Sequence, residues 1–258
     1  MSDFLDKLAI DATKTIDSGY YKASSPTPQP KISLKKTIQE CKTNAVITEI
    51  KAASPSLGTI RTQLNPKQIA KAIEKGGAAG ISVLTEPKHF HGSLQTLKET
   101  REAVKLPLLM KDIILVVDQI EVAANLGANA VLLIQGLFDK GYCEMSVKKT
   151  IAFAHSQGLE VLLETHIKEE FLLAIETEAD LVGINNRNLE TLKIDLNTTK
   201  EILKNNSGRG KVVVSESGIK TQADLRFLRE CGANAFLIGS SIMLTENIEE
   251  KTKEFVYA

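Results

Sequence analysis

The sequence predicts an α/β fold in which eight βα units close a parallel sheet into a single (β/α)8 barrel. The first observation is a joint between a helix and a strand that recurs along the chain. Its copies are GGAAGISVL (76–84), LGANAVLLI (126–134), CGANAFLIG (231–239) and, more loosely, TEADLVGIN (177–185). Each copy combines the end of a helix, a glycine or polar turn and a short run of Val, Ile and Leu, which is typical of helices alternating with buried parallel strands.

The second observation is the number of strand-like segments. Eight of them alternate with stretches long enough for a helix: 45–51, 79–85, 107–112, 130–134, 159–164, 181–185, 211–217 and 234–239. Eight units in 258 residues match a TIM barrel, which commonly needs about 250 residues. The alternative is a doubly wound open sheet, but a dinucleotide-binding sheet usually has G-x-G-x-x-G after its first strand, whereas this chain has SPSLG. We therefore predict one barrel domain over residues 1–258.

Residues 1–44 do not follow the βα pattern and predict an N-terminal helical extension. Helical spacing of apolar residues indicates a first helix over residues 3–16, formed around Phe4, Leu5, Leu8, Ala9, Ala12 and Ile16. Three prolines between Ser24 and Pro30 end this helical region, and a second short helix begins near Ser33. We expect this extension to lie across the barrel.

The charge balance excludes several classes of partner. Lys plus Arg and Asp plus Glu number 32 each, so no global field attracts nucleic acid or an anionic membrane. No apolar run of about 18 residues could span a membrane, and the N-terminal residues lack the pattern of a secretory signal. The three cysteines, Cys41, Cys143 and Cys231, are far apart, which is typical of a reducing compartment. We expect a cytoplasmic protein.

Charged side chains recur at the predicted carboxyl ends of the strands, which is where TIM barrels form their active sites. The first strand ends in Glu49 and Lys51, whose i, i+2 spacing places both side chains on one face. Taken alone, this pair could be a structural ion pair. The other strand ends carry Lys111 and Asp112, Glu164, Asn185 and Arg187, and Glu216 and Ser217. Their convergence on one rim favours a catalytic or binding site.

Two loops near the end of the chain indicate a phosphate site. VVVSESGI (212–219) and FLIGSSIM (236–243) each combine a strand, small Ser and Gly residues and the start of a helix. Backbone N–H groups at such joints bind phosphate, and in TIM barrels this site often follows strands seven and eight. The alternative is that Gly218 and Gly239 only make tight turns. The four histidines, His89, His91, His155 and His166, show no metal-ligand pattern, and we expect no metal site.

Seven segments together resemble the indole-3-glycerol phosphate synthase family over nearly the whole chain. They are EIKAASPSLG (49–58), TEPKHFHGSLQTL (85–97), LLMKD (108–112), LLETH (162–166), GINNRNLET (183–191), VSESGI (214–219) and FLIGSSIM (236–243). The resemblance implies a cofactor-free and metal-free carboxy-lyase of tryptophan biosynthesis. Its substrate would be 1-(2-carboxyphenylamino)-1-deoxyribulose 5-phosphate, and other tryptophan-pathway enzymes become candidate partners.

The resemblance also implies roles for individual residues. Lys111 matches the acid that protonates the carbonyl oxygen during ring closure, Lys51 and Glu164 match the acid and base of dehydration, and Glu49 matches a supporting carboxylate. The residues matching substrate-positioning groups are Ser54, Phe90, Asn185, Arg187 and Glu216. Those matching the phosphate cradle are Ser217, Gly218, Gly239 and Ser240.

One residue departs from the family pattern. The family usually has Lys-Asp-Phe where this chain has Lys111, Asp112 and Ile113. An isoleucine can line an apolar pocket but cannot stack on an aromatic ring. Two alternatives remain: phosphoribosylanthranilate isomerase, whose chemistry requires a Cys/Asp pair, and a non-catalytic phosphosugar-binding barrel. The absence of a cysteine from the predicted rim disfavours the first, and the four charges at the rim disfavour the second.

Overall fold

Eight parallel strands form a closed barrel in the computed structural model, which describes residues 3–22, 31–54, 58–61, 64–189 and 191–258. The strands are β1 (Ala45–Ile50), β2 (Gly80–Leu84), β3 (Leu108–Lys111), β4 (Ala130–Ile134), β5 (Glu160–Thr165), β6 (Leu181–Asn185), β7 (Val212–Glu216) and β8 (Ala235–Ile238). Pairing of β1 with β8 closes the barrel. The predicted fold class is confirmed, and each predicted strand boundary lies within one residue of the observed one.

In the described part of the chain, two helices precede the first strand, and the others follow the strands on the outside of the barrel. The helices are α1 (Phe4–Asp17), α2 (Leu34–Glu40), α3 (Pro66–Lys75), α4 (Leu94–Ala103), α5 (Val117–Asn125), α6 (Gln135–Asp139), α7 (Val147–Ser156), α8 (Lys168–Ala174), α9 (Asn197–Leu203), α10 (Gln222–Glu230), α11 (Ser240–Met243) and α12 (Ile248–Val256). A short antiparallel ladder pairs 53–54 with 58–59 after β1. No helix within the described ranges is long and apolar enough to cross a membrane.

The recurring joint works as a helix stop. In two of its copies, Gly127 and Gly232 have φ angles of +85° and +106°, which a residue with a Cβ adopts only with strain. The glycine turns the chain back, and the following residues enter a strand whose every residue is buried. Burial on both faces of the sheet explains why these strands are continuous apolar runs.

The side chains inside the barrel form a buried apolar cluster below its carboxyl-end rim. Ile47, Leu109, Leu162 and Val214 belong to this cluster, and each comes from an odd-numbered strand. Because side chains on one face of a strand recur every second residue, the next inward positions are 49, 111, 164 and 216. The fold therefore aligns four polar positions from alternate strands directly above an apolar layer.

Helices α1 and α2 contribute to this interior cluster from outside the barrel. Leu5 and Leu8 of α1, and Leu34 and Ile38 of α2, are buried in it. Helix α2 lies at the amino-end face, because Ser33 and the Lys35 N–H contact the carboxylate of Glu160, the first residue of β5. The predicted proline break at 24–30 lies outside the described residues.

Helix α1 reaches the loops at the opposite, carboxyl-end face. Asp11 pairs with Lys88 at 2.7 Å and with His89 at 3.0 Å, both in the loop after β2. Near the amino end of α1, Asp3 and Asp6 both pair with Lys140 after α6. The helix thus spans the mouth of the barrel.

Candidate active site

Four charged side chains form one layer at the carboxyl-end rim. Lys111 of β3 lies with its Nζ 3.0 Å from Glu216 of β7, 3.4 Å from Glu49 of β1 and 3.7 Å from Glu164 of β5. We call Glu49, Lys111, Glu164 and Glu216 the charged layer. The structure thus brings together four sequence-predicted site residues that lie far apart in the chain.

The charged layer fixes the protonation of its lysine. Burial by itself lowers the pKa of Lys111, but Glu216, Glu49 and Glu164 outweigh it and raise that pKa above its usual value. Burial raises the pKa of Glu216, against the opposing effect of Lys111 and with the charge of Glu164 adding to the rise. Lys111 is therefore a charged acid at neutral pH.

Lys51 extends the layer toward the loop after β8. Its Nζ lies 2.7 Å from Oε1 of Glu49, so the two side chains share one face, as their spacing predicts. Burial would raise the pKa of Glu49, but Lys51 and Lys111 together lower it. A methyl group added to Gly239 would lie 2.7 Å from Glu49 Oε1 and 2.8 Å from Lys51 Nζ. Residue 239 therefore lies directly against the Glu49–Lys51 pair, which places the predicted phosphate loop beside Lys51.

Gly183 makes room for the most buried member of the charged layer. A methyl group on this β6 residue would collide with Oε1 of Glu216. That oxygen has no hydrogen-bond partner among the described residues, although it is fully buried. A buried acceptor without a partner is rare in folded proteins, which marks this position as unusual. The sequence analysis did not identify Gly183; a glycine inside a strand is the local signal for such a close approach.

Glu164 has a histidine partner that the sequence analysis passed over. Nε2 of His166 lies 3.2 Å from Glu164 Oε1, and its Nδ1 lies 3.6 Å from Oε2 of Glu170. Burial would raise the pKa of Glu164, but His166 and Lys111 lower it to about 2. Burial would likewise lower the pKa of His166, but the two glutamates raise it to about 9. The E-x-H spacing in LLETH was the available signal, since residues i and i+2 lie on one side of a strand.

Apolar side chains cover the charged layer and enclose a cavity of about 90 Å³. The apolar part of its wall consists of Phe4, Leu8, Leu84, Phe90, Ile113, Leu132, Ile134 and Leu189. Ile113 thus lines the pocket, where the family pattern has phenylalanine. Phe90 is held by Glu86, whose carboxylate accepts the backbone N–H groups of residues 88, 89 and 90. Cys41, Cys143 and Cys231 do not line this cavity.

The residues predicted after β6 lie at the same pocket. Asn185 and Arg187 both line it, and the Arg187 N–H donates to Oδ1 of Asn185 at 3.0 Å. The guanidinium of Arg187 donates to the Leu192 carbonyl oxygen at 3.2 Å. This bond holds a cationic side chain at the rim. For Ser54 the structure describes only the backbone, which lies in the short ladder after β1.

The two predicted phosphate loops are neighbours. Ser217, which lines the pocket, and Gly218 have φ angles of +67° and +90°. The Asn186 amide group holds the first loop by donating to the carbonyl oxygens of Glu216 and Ser217. The Ser241 hydroxyl, in α11, donates to the Ile219 carbonyl oxygen at 2.8 Å and so joins both loops. Gly239 and Ser240 stand at the start of α11, where the first N–H groups have no partner within the helix.

Asp112 anchors the N-terminal extension beside the charged layer. Tyr21 donates its hydroxyl to this carboxylate at 2.9 Å, and the Ile113 N–H donates to it at 2.8 Å. Burial raises the pKa of Asp112 to about 6. The residue after Lys111 therefore ties β3 to the chain that follows α1.

Comparison with known proteins identifies the family to which this architecture belongs. The sequence profile described as indole-3-glycerol phosphate synthase matches residues 6–255. The chain belongs to the indole-3-glycerol phosphate synthase family. A protein of that name from Methanocaldococcus jannaschii is 42% identical over 99% of this chain and 90% of its own length. Indole-3-glycerol phosphate synthases from Aquifex aeolicus and Neisseria meningitidis serogroup C are 42% and 44% identical; they cover 86% and 80% of this chain and 84% and 76% of their own.

Solved structures of other enzymes share the fold. Thiamine phosphate pyrophosphorylase from Pyrococcus furiosus superposes with a TM-score of 0.61 at 17% identity, covering 86% of this chain and 96% of its own. N-acetylmannosamine-6-phosphate 2-epimerase from Clostridium perfringens gives 0.62 at 15% identity, covering 84% and 93%. At these identities the likeness concerns the barrel alone. The family predicted from the seven motifs is confirmed, whereas the roles of single residues stay predictions.

Proposed function

We propose that this chain closes the indole ring of 1-(2-carboxyphenylamino)-1-deoxyribulose 5-phosphate, releasing one CO2 and one water to give indole-3-glycerol phosphate. The observation that carries the proposal is a lysine held charged by three carboxylates beneath an apolar pocket. Such a pocket suits an aromatic ring, and the lysine supplies an acid inside it. Other tryptophan-pathway enzymes are the candidate protein partners.

Ring closure requires an acid at the ribulose carbonyl. As the aromatic carbon attacks, the carbonyl oxygen gains negative charge and takes up a proton. Lys111 is the group that we assign to this step, because its ammonium is kept charged and lies in the wall of the pocket. Carbon dioxide then leaves, and its bonding electrons restore the aromatic ring. A well-placed acid of this kind contributes about 10² to 10⁴ in rate.

Dehydration requires a second acid and a base. Lys51 is the acid in this proposal: it protonates the leaving hydroxyl, and Glu49 at 2.7 Å supports its charge. Glu164 is the base, and its low pKa keeps it ionised at neutral pH. It accepts the proton that is lost as the indole double bond forms. The two groups reach the pocket from separate strands, so each can act on its own side of the substrate.

Substrate binding follows from the remaining residues. Ser217, Gly218, Gly239 and Ser240 would bind the phosphate through the loop and the start of α11. Arg187 adds a cation for an anionic substrate, and Phe90 packs against its ring. Asn185 and Glu216 offer polar contacts to the ribulose hydroxyls. Ser54 is the remaining residue that we assign to substrate positioning.

The test is to mix the purified protein with the substrate and follow the indole fluorescence that appears on ring closure. A steady rise that EDTA does not change, with a product lighter by one CO2 and one water in the mass spectrum, is the expected result. Substrate that binds in calorimetry without any fluorescence change would contradict the proposal and leave a phosphosugar-binding barrel. The matched control is Lys67→Ala, which removes a surface lysine paired with Glu102 and should leave the rate unchanged.

A further inference from the structure

We propose that His166 is a positioning residue for the reaction: as an imidazolium held by Glu170, it keeps Glu164 ionised and oriented toward the pocket. The inference rests on the proposed role of Glu164 as the base of dehydration. Nothing in the motif comparison assigns a role to His166 or Glu170.

The geometry of this triad is built by the end of β5 and the first turn of α8. His166 follows Glu164 by two residues and is 11% exposed, against 3% for the Glu164 side chain. Oε2 of Glu170 accepts the backbone N–H of His166 at 2.6 Å and lies 3.6 Å from its Nδ1. Glu170 therefore holds the backbone of the histidine and lies at ion-pair distance from one ring nitrogen, while the other ring nitrogen, Nε2, lies at ion-pair distance from Glu164 without hydrogen-bond geometry.

Glu164 thereby has a cation at each of its oxygens. His166 stands at Oε1 and Lys111 stands at Oε2, 3.7 Å away. Lys111 is shared with Glu49 and Glu216, so it cannot compensate Glu164 alone. His166 supplies the missing charge. When Glu164 takes a proton in dehydration, its attraction to His166 weakens, and return of that proton to water is favoured as the pair re-forms.

The charged residues on and just after the neighbouring helix α6 have their own partners. On α6, Asp139 accepts a hydrogen bond from Gln135. Beyond it Lys140 pairs with Asp3 and Asp6 of α1. The first turn of α8 also carries Lys168 and Glu169, next to Glu170 in the sequence. Among the contacts of the described residues, Glu164 and Glu170 are the carboxylates that face His166.

A histidine that only filled space would behave differently from one that sets the charge of Glu164. We would measure kcat, KM and the pH–rate profile of His166→Asn, His166→Gln and Glu170→Gln. The expected result for both His166 variants is a fall in kcat of about ten-fold, below the 10² to 10⁴ that loss of a base costs, with KM nearly unchanged. Their acidic limb should move to higher pH, because Glu164 has lost a cation that favours its ionised form.

Glu170→Gln should move the alkaline limb to lower pH, because His166 then loses its proton more easily. His155→Asn is the matched control, since it removes a histidine of α7 that pairs with Asp180 at 2.9 Å. Its profile should equal that of the wild type. A His166→Asn or His166→Gln profile that also equals the wild type would overturn the proposal.

A second readout does not depend on turnover. In the substrate-free protein, the imidazole NMR signal that disappears in His166→Asn should titrate well above an ordinary histidine and drop toward normal in Glu164→Gln. A normal titration in the wild type would overturn the pairing even in an active enzyme. The expected titration in a protein that does not convert the substrate would uphold the pairing and refute the proposed function instead.

Discussion

At the scale of the residue, the central feature is a lysine whose charge is set by its neighbours. Two lysines in one pocket repel each other, which alone would favour loss of a proton. The structure shows that the carboxylates prevail at Lys111, because three of them surround its Nζ within 3.7 Å. The site therefore holds a strong cation rather than a neutral amine, and this suits an acid better than a nucleophile.

Lys111→Ala should separate chemistry from binding. We expect turnover to fall by about 10² to 10⁴, because the acid for ring closure is lost. The phosphate loops after β7 and β8 are untouched, so inorganic phosphate should bind in calorimetry as tightly as it binds the wild type. Near-normal turnover in this variant would refute the assignment of Lys111.

Gly183→Ala tests whether Glu216 must occupy its buried place. The added methyl group collides with Oε1 of Glu216, so we expect kcat to fall and unfolding to become easier by about 1–3 kcal/mol. Kinetics and urea unfolding of the purified variant measure both effects. The double variant Gly183→Ala, Glu216→Asp shortens the clashing side chain and should recover stability; failure to recover it would locate the strain elsewhere.

At the scale of the element, α1 covers the mouth of the barrel and is held at its end by the Tyr21–Asp112 hydrogen bonds. The enclosed cavity, about 90 Å³, is well below the 300–1,000 Å³ or so of pockets that bury a small molecule. Phe4 and Leu8 of α1 line this cavity, so α1 forms part of the wall that a bound substrate would contact.

Tyr21→Phe should loosen this anchor. The buried Asp112 carboxylate loses a donor, so we expect a destabilisation of about 1–3 kcal/mol in urea unfolding. Because α1 then closes less firmly over the ligand, KM should rise by a larger factor than kcat falls. The matched control is Tyr257→Phe, at a side chain that is 71% exposed, and it should change neither quantity. A Tyr21→Phe variant with wild-type KM would show that the anchoring of α1 does not contribute to substrate binding.

The elements differ in how well the sequence predicts them. The strands were predicted to within one residue because each is a buried apolar run that begins after a helix-ending turn, as in 126–134. The same period-two rule correctly placed Glu49 and Lys51 on one face. The positions of α1 and α2 on opposite faces of the barrel could not be predicted, because amphipathic spacing shows which side of a helix is buried but not against what.

Contacts between distant elements account for the other gaps. The partners of Asp112 and Glu164 include Tyr21 and Glu170, and no local pattern links such positions before the barrel closes. Gly183 was read as one residue of a motif, although its missing side chain is what admits Glu216. The charged layer itself was predictable, since four strands end in charge at the same depth.

At the scale of the whole molecule, the buried charges predict how stability depends on pH. The pKa of His166 is raised from 6.5 to about 9 in the folded chain, so its contribution is complete below about pH 6.5 and is lost as pH rises toward 9. The raised pKa of Glu216 acts in the same direction, because ionisation of this buried acid disfavours the folded state. The lowered pKa of Glu164 stabilises above about pH 4.5 and ceases to do so as pH falls toward 2.

We therefore expect the free energy of unfolding to be greatest near pH 4.5. It should fall below that pH as Glu164 takes up a proton, and above it as Glu216 ionises, with His166 adding to the decline above about pH 6.5. Urea unfolding at a series of pH values measures it. His166→Asn should flatten the decline between pH 6.5 and 9. An unchanged slope in His166→Asn would show that His166 is not charged in the folded protein.

The charged layer is proposed to divide two chemical steps between Lys111 and Glu164, and a rapid-quench single-turnover experiment can separate these steps. The release of CO2 and the formation of indole would be timed together in the wild type, Lys111→Ala and Glu164→Gln. We expect Lys111→Ala to slow both events equally, whereas Glu164→Gln should release CO2 at nearly the normal rate and delay indole. Normal CO2 release in Lys111→Ala, or an equal delay of both events in Glu164→Gln, would contradict this proposal.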